Sequence, residues 1–343
     1  MIVYSIIIPT CHKDLAERCL TYLAKINKPQ ADYEVLVIHN TSQDDVKSVV
    51  ENYKSNIPDL RYIYENNYGL MASRHRGAKE AQGNILCFLD DDSFVDKNWL
   101  IAIEDTFENR DIVIAGGNNL PLYDTPPPPP KWLKYFWRDT LYGKMLPDLS
   151  LINFRNRARQ VPAWFVFGCN FIIRKDVFFK FGGTNPDIVP KDKQRWQGDG
   201  ETALSLKLNK EGYAAFFNPQ IKIQHFVPRQ RMSVEYLKKR YFYQGVGDSF
   251  SKIRKEHGLV YYDFTFCQAG NKESVKLPKF LLRIYDKIVY EKGRLLKRLE
   301  QKNKNYIAYL EIKRECDKAC QEGFAWHQNE VKNDSDLLKW VLK

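Results

Sequence analysis

The chain of 343 residues contains no apolar run of about 18 residues, the length a helix needs to cross a bilayer, so no transmembrane helix is expected. No charged leader precedes the first apolar stretch, which argues against an ordinary secretory signal. The seven cysteines are odd in number and lack paired-ligand spacing, which argues against a disulfide framework and for reduced thiols in a cytoplasmic compartment. Cys316 and Cys320 stand one helical turn apart, but with only His327 near them they do not make up a zinc site. No internal repeat is present, and no glycine occurs in Thr10-Cys11-His12-Lys13-Asp14, where a triphosphate-cradling loop would need one. The net charge of +11 comes without a recognisable nucleic-acid-binding module, so no nucleic-acid partner is expected.

What is present begins with Asn84-Ile85-Leu86-Cys87-Phe88-Leu89-Asp90-Asp91-Asp92-Ser93. A short apolar run reads as a buried strand and carries three consecutive carboxylates at its end. Adjacent acids repel one another and ask for a cation, and a hard divalent ion shared with a substrate phosphate meets that need. The plainer reading is a solvated acidic turn. Upstream, Tyr4 to Thr10 and Tyr33 to Asn40 read as two further buried strands. Between them Asp14 to Ile26 reads as a helix, with Leu15, Cys19, Tyr22, Leu23 and Ile26 on one face. A helix over Asp44 to Tyr53, a strand over Arg61 to Glu65 and a helix over Leu70 to Gln82 follow. The alternation predicts an α/β fold with an open, mostly parallel sheet whose ligands sit beyond the strand carboxyl ends. Pro9, Thr10, His39, Asn40 and Asp90 to Asp92 would gather there.

In this order and spacing, five segments resemble glycosyltransferase family 2, inverting enzymes with the GT-A nucleotide-diphosphosugar fold. They are Ser5 to Thr10, Val37 to Ser42, Asn67-Tyr68-Gly69 through Arg74-His75-Arg76-Gly77, Phe88 to Asp92, and Gly168-Cys169-Asn170-Phe171 through Gly198-Asp199-Gly200-Glu201. The resemblance covers roughly residues 3 to 240. The chain departs from the usual pattern at His39, where the family has Asp, and at Ser73-Arg74-His75, where it has Ala-Arg-Asn. A Glu-Asp pair is also common near Gly198 to Glu201.

The resemblance implies a divalent ion, Mn²⁺ or Mg²⁺, held by Asp92, with Asp90 on the nucleotide and Asp91 as a second-line ligand. His225, in Ile223-Gln224-His225-Phe226-Val227-Pro228, looks like the family histidine that returns to the metal or diphosphate, although a lone histidine also serves structure. Arg74 resembles the arginine that braces the nucleotide pocket. Gly168 and Asn170 resemble the segment lining the donor-sugar and acceptor side. From the residues themselves, Pro9 and Thr10 offer backbone groups to a base, Asn40 can donate and accept at a uracil edge, and Asn67 and Gly69 shape the loop before a helix. Inversion needs a base for the acceptor proton, for which Asp199 is the first choice and Glu201 the second. Trp196, just before them, would floor the acceptor sugar. The nearby aromatics Trp132, Tyr135, Phe136, Trp137, Trp164, Phe165 and Phe167 suit core packing as well as sugar stacking.

Three regions follow: a nucleotide-sugar-binding half over 1–120, an acceptor and catalytic-base half over 121–232 entered through the proline run 126–130, and a basic, mainly helical extension over 233–343. Residues 276–304 hold ten basic and three acidic side chains, and Lys279 to Glu300 reads as an amphipathic helix. Such a helix either lies on an anionic membrane surface, the inner face of the plasma membrane, or packs on the catalytic domain. The expectation is a metal-dependent inverting transfer from a nucleotide-diphosphate sugar, a UDP-sugar, to a polysaccharide or lipid-linked oligosaccharide hydroxyl. The alternatives are a nucleotidyltransferase making nucleotide sugars and a non-enzymatic basic scaffold.

Overall fold

A computed structural model describes residues 2–40, 43–154, 157–187, 189, 191–259 and 303–343. The first part of the chain alternates strand and helix: β1 (Tyr4–Thr10), α1 (Lys13–Leu23), β2 (Tyr33–Asn40), α2 (Val46–Tyr53), β3 (Leu60–Glu65), α3 (Leu70–Glu80) and β4 (Ile85–Leu89). There follow β5 (Ser93–Val95), α4 (Trp99–Phe107), β6 (Ile114–Gly116), β7 (Asn119–Tyr123), β8 (Arg138–Asp139), β9 (Gly143–Leu146), β10 (Leu151–Phe154), β11 (Arg159–Val161) and β12 (Asn170–Arg174). The remainder comprises α5 (Lys175–Lys180), α6 (Thr202–Lys210), β13 (Ala215–Phe217), β14 (Ile223–Val227), α7 (Val234–Glu256), α8 (Lys304–Asn333) and α9 (Ser335–Val341).

Eight strands form the main sheet in the order β11-β13-β6-β12-β4-β1-β2-β3. β1 pairs in parallel with β2 on one side and with β4 on the other. The chain therefore winds outward through β2 and β3, then crosses back to β4, and the order reverses between β1 and β4. Ligands of open α/β sheets bind at such a switch point, outside the strand carboxyl ends. The expected parallel sheet is present with two reversed strands, β12 between β4 and β6, and β11 at the edge.

The core explains why β1, β2 and β4 are near-continuous apolar runs. Successive side chains point to opposite faces, and both faces are covered. Ile6, Ile8, Val35 and Val37 pack on α1 and α2 residues such as Leu20 and Val50. Ile7, Leu36, Ile38 and Phe88 meet Ala78 of α3 and Phe178 of α5 on the other face.

A second, six-stranded sheet, β5-β14-β7-β10-β9-β8, has no clear signal in the sequence because its strands are only 2 to 5 residues long. The proline run leads from β7 to a 3-10 turn at Leu133–Phe136, whose Leu133 and Phe136 are buried against α7 and α8. There the aromatic run serves core packing: Phe136 meets Tyr309 edge-on at 5.0 Å.

Helices α7 and α8 cross very closely. A Cβ at Gly245 would stand 1.9 Å from Cys320 O, and one at Gly323 would stand 2.1 Å from Phe242 O. The expected amphipathic helix over Lys279 to Glu300 lies outside the described residues. Among the described residues no helix is long and apolar enough to cross a membrane. Cys316 is buried in the α7–α8 seam.

Candidate active site

Beyond β1 and β4, the hydroxyl Thr10 Oγ1 donates to Asp91 Oδ2 at 2.6 Å. Burial and the neighbouring Asp92 push the Asp91 carboxyl well above its ordinary range. Asp92 experiences the reverse. Its burial would raise its pKa, but His225 and Arg231 hold it down at about 2. Arg231 Nη1 lies 2.9 Å from Asp92 Oδ2, and His225 Nε2 lies 3.3 Å from Asp92 Oδ1. Strand register explains this meeting of residues far apart in sequence. β14 runs antiparallel to β5 with His225 opposite Ser93, and Phe226 N donates to Asp92 O at 2.7 Å.

Among the described residues, Asp92 Oδ1 has only His225 Nε2 near it, at 3.3 Å, and His225 Nδ1 is buried with no hydrogen bond. A buried polar atom without a partner costs about 1–3 kcal/mol, which a bound cation at this carboxylate and imidazole would offset. Asp92 Oδ1 and the His225 nitrogen that faces it, Nε2, would fit a Mn²⁺-type ion that takes its remaining ligands from phosphate and water. Among the described residues no three His, Cys, Asp or Glu side chains converge into a closed metal cage.

Next to this pair, α3 inserts Arg74, which is 3% exposed. Its Nη2 donates to Asp90 Oδ1 at 2.6 Å, and its Nη1 lies 3.8 Å from Glu201 Oε2. Burial opposes the guanidinium charge, but Asp90 and Glu201 more than restore it, and its pKa is raised. Gly168 N donates to Glu201 Oε1 at 2.9 Å, so one guanidinium and one backbone amide join the first half of the chain to the turn before α6. The absence of a side chain at Gly168 is what admits Arg74, since a Cβ there would lie 2.4 Å from Nη1.

The other expected residues have different surroundings. Asn40 spends both amide hydrogens on Glu65 O and Asn67 O, and its Oδ1 accepts from Gly69 N, so it ties the loop before α3 to the end of β2. Asn67 is braced by Glu65 Oε1, and Pro9 is buried in β1 opposite Ile38. Asn170 bonds Asn119, Ile221 O and Trp99 Nε1 within the core. Asp199 accepts from Asn185 Nδ2 at 2.6 Å and from Ser251 Oγ at 2.7 Å, and burial pushes its carboxyl up. Trp196 packs edge-on against Trp340 of α9 at 5.4 Å. Arg231, which the sequence marks only as a base near His225, joins the site through an irregular 3-10 turn at Arg229–Met232 that no periodicity announces.

Residues 5–181 match glycosyl transferase family 2. The chain is 22% identical over 236 residues to a glucosyl-dolichyl phosphate glucuronosyltransferase of Haloferax volcanii, covering 68% of this chain and 71% of that one. It is 25% identical over 248 residues to the succinoglycan biosynthesis protein ExoM of Rhizobium meliloti, covering 72% and 74%. In fold it resembles a mannosyltransferase of Pyrobaculum calidifontis, solved with GDP-Man and Mn²⁺, at a TM-score of 0.57 and 14% identity over 94% of this chain and 87% of that one. A parallel sheet with acids at its switch point and a family match over more than half of the chain have one reading: this protein belongs to glycosyl transferase family 2 and is a glycosyltransferase of the GT-A fold.

Proposed function

We propose that the protein is a metal-dependent, inverting glycosyltransferase that takes a sugar from a nucleotide-diphosphate donor, a UDP-sugar, and gives it to a hydroxyl of a polysaccharide or lipid-linked oligosaccharide. The observation that carries this reading is the buried Asp92–His225 pair at the sheet's switch point, with Asp92 Oδ1 facing His225 Nε2 at 3.3 Å. The relatives named for dolichyl phosphate and succinoglycan chemistry support the acceptor class. The mannosyltransferase with GDP-Man and Mn²⁺, and a GalNAc-T7 structure with UDP and Mn²⁺ at TM-score 0.50 and 18% identity, share the fold.

Asp92 and His225 would hold the divalent ion. Once bound, such an ion supplies positive charge where the leaving diphosphate becomes more negative. Arg231, half-buried beside Asp92, adds a second positive charge on that side. Arg74 holds Asp90 in place for the nucleotide. Of the two candidate bases, the geometry favours Glu201. Asp199 is bonded to Asn185 and to Ser251 of α7, whereas Glu201 shares Arg74 with Asp90 and so stands on the donor side of the cleft. Glu201 would take the acceptor proton as the new bond forms on the opposite face of the sugar. The basic stretch 276–304 would bring the enzyme to anionic lipid on the cytoplasmic face, where salt-sensitive binding to phosphatidylserine vesicles tests it.

The decisive experiment screens nucleotide sugars for Mn²⁺-dependent thermal stabilisation and hydrolysis, then compares Glu201→Gln with the natural protein. Stabilisation by a UDP-sugar only with Mn²⁺, and transfer lowered at least about a hundredfold in the variant, support the reading. Metal-independent binding or unimpaired transfer overturns it.

A further inference from the structure

Five consecutive residues leading to Glu201 each touch the C-terminal helices. Arg195 pairs with Asp334, at the junction of α8 and α9, and lies 3.6 Å from Glu330 of α8. Trp196 packs on Trp340 of α9. Gln197 Nε2 donates to Tyr243 O of α7 at 3.3 Å. Gly198 O lies 3.3 Å from the Cβ that residue 247 of α7 does without. Asp199 Oδ2 accepts from Ser251 Oγ of α7 at 2.7 Å. Immediately afterwards the chain turns through Gly200 into Glu201, whose side chain reaches Gly168 N and Arg74.

The turn is also closed from its other side. Asn185 donates from Nδ2 to Asp199 Oδ1 at 2.6 Å and from N to Gly200 O at 2.9 Å, while Gly198 N donates to Pro186 O at 2.7 Å. Asp199 thus bonds α7 with one oxygen and Asn185 with the other, two residues before the carboxylate facing the donor side. Each of its oxygens is tied to protein, and both bonds are partly shielded from water, which strengthens them.

We propose that Asp199 is a positioning residue, which with Ser251 and Asn185 rivets the Glu201 turn to the C-terminal helices and so sets the aim of the catalytic base. The helices α7, α8 and α9 then belong to the catalytic apparatus rather than being an appendage to it. Errors of about 1 Å in the placement of a reacting group cost on the order of a hundredfold in rate, so loosening this rivet lowers turnover while leaving donor affinity intact. This inference rests on the reading of Glu201 as the base, and the test separates the two.

The full chain is prepared with Asp199→Asn, Ser251→Ala, Ser251→Thr and Glu201→Gln. Hydrogen–deuterium exchange is followed across residues 197–205, and Mn²⁺-dependent hydrolysis of UDP-glucose is followed against pH. The rivet predicts exchange about tenfold faster in 197–205 for Asp199→Asn and Ser251→Ala, unchanged exchange in β1 to β4, and recovery in Ser251→Thr. It also predicts that Asp199→Asn lowers kcat about tenfold with donor KM within about twofold, and keeps the acid limb of the pH profile, which Glu201→Gln removes. Unchanged exchange in both loosening variants, or loss of the acid limb in Asp199→Asn, overturns the proposal. An acid limb that survives in Glu201→Gln refutes the assignment of the base, while the exchange data still decide the rivet.

Discussion

Arg74 and Gly168 depend on each other: the guanidinium occupies the space that any side chain at 168 would need, with Nη1, Nη2 and Cζ at 2.4, 2.7 and 2.9 Å from an ideal Cβ. Arg74 is held there by Asp90 at 2.6 Å and is enclosed by protein, so it cannot move aside freely. Gly168→Ala should therefore break the Arg74–Asp90 pair. Overpacking of this kind costs about 1–3 kcal/mol. We expect a lowered Tm by calorimetry and nucleotide-sugar affinity reduced about tenfold or more by titration, and unaltered affinity would remove Arg74 from the donor pocket.

Asp92→Ala removes one of the two groups proposed to hold the ion. Turnover should fall by about two orders of magnitude, since metal stabilisation of a leaving group is worth several kcal/mol and each 1.36 kcal/mol is tenfold in rate. Mn²⁺ titration in the presence of UDP should lose its saturable step while circular dichroism shows the fold retained. Near-natural turnover in the folded variant would place the metal elsewhere.

The crossing of α7 and α8 is testable without substrate. Alanine is favoured over glycine inside a helix by about 1 kcal/mol, yet at Gly245 and Gly323 the added carbon would meet a backbone carbonyl at 1.9 and 2.1 Å. Each Gly→Ala change should destabilise the protein by about 1–3 kcal/mol in urea unfolding. A rise in stability at either position would contradict the close crossing.

His327 gives the C-terminal helices an acid sensitivity. It is fully buried in α8, its Nδ1 lies 2.8 Å from Ser249 Oγ of α7, and burial lowers its pKa from 6.5 to about 4. Below pH 6.5 the unfolded chain takes up a proton that the native state refuses, so the stability present above 6.5 drains away as pH falls toward 4. The full swing amounts to about 3 kcal/mol. Urea midpoints at pH 7.5 and pH 4.5 should differ less in His327→Gln than in the natural protein, and an equal difference would mean that His327 does not titrate in this way.

Much of the N-terminal half was legible because its strands are buried on both faces. Continuous runs such as Ile6-Ile7-Ile8 and Val35-Leu36-Val37-Ile38 have no other comfortable place, and the helices between them keep their own period. The expected helix over Leu70 to Gln82 ends at Glu80, and that over Asp14 to Ile26 ends at Leu23, where frayed last turns blur the boundary. The second sheet was not legible, since strands as short as Ser93–Val95 and Arg138–Asp139 carry too few residues to show alternation.

By itself the sequence determined the alternating α/β core, the three acids at the end of β4 and the family to which they belong, because burial periodicity and strand-end chemistry are local properties of the chain. Only the tertiary structure decided that His225 and Arg231 flank Asp92, that Arg74 joins Asp90 to Glu201 through the space left by Gly168, and that Asp199 faces α7. Those pairings depend on sheet register and on how closely two helices approach. Asp199 and Glu201, two residues apart across a glycine, point to different partners for a reason that lies in what packs on each side of the turn.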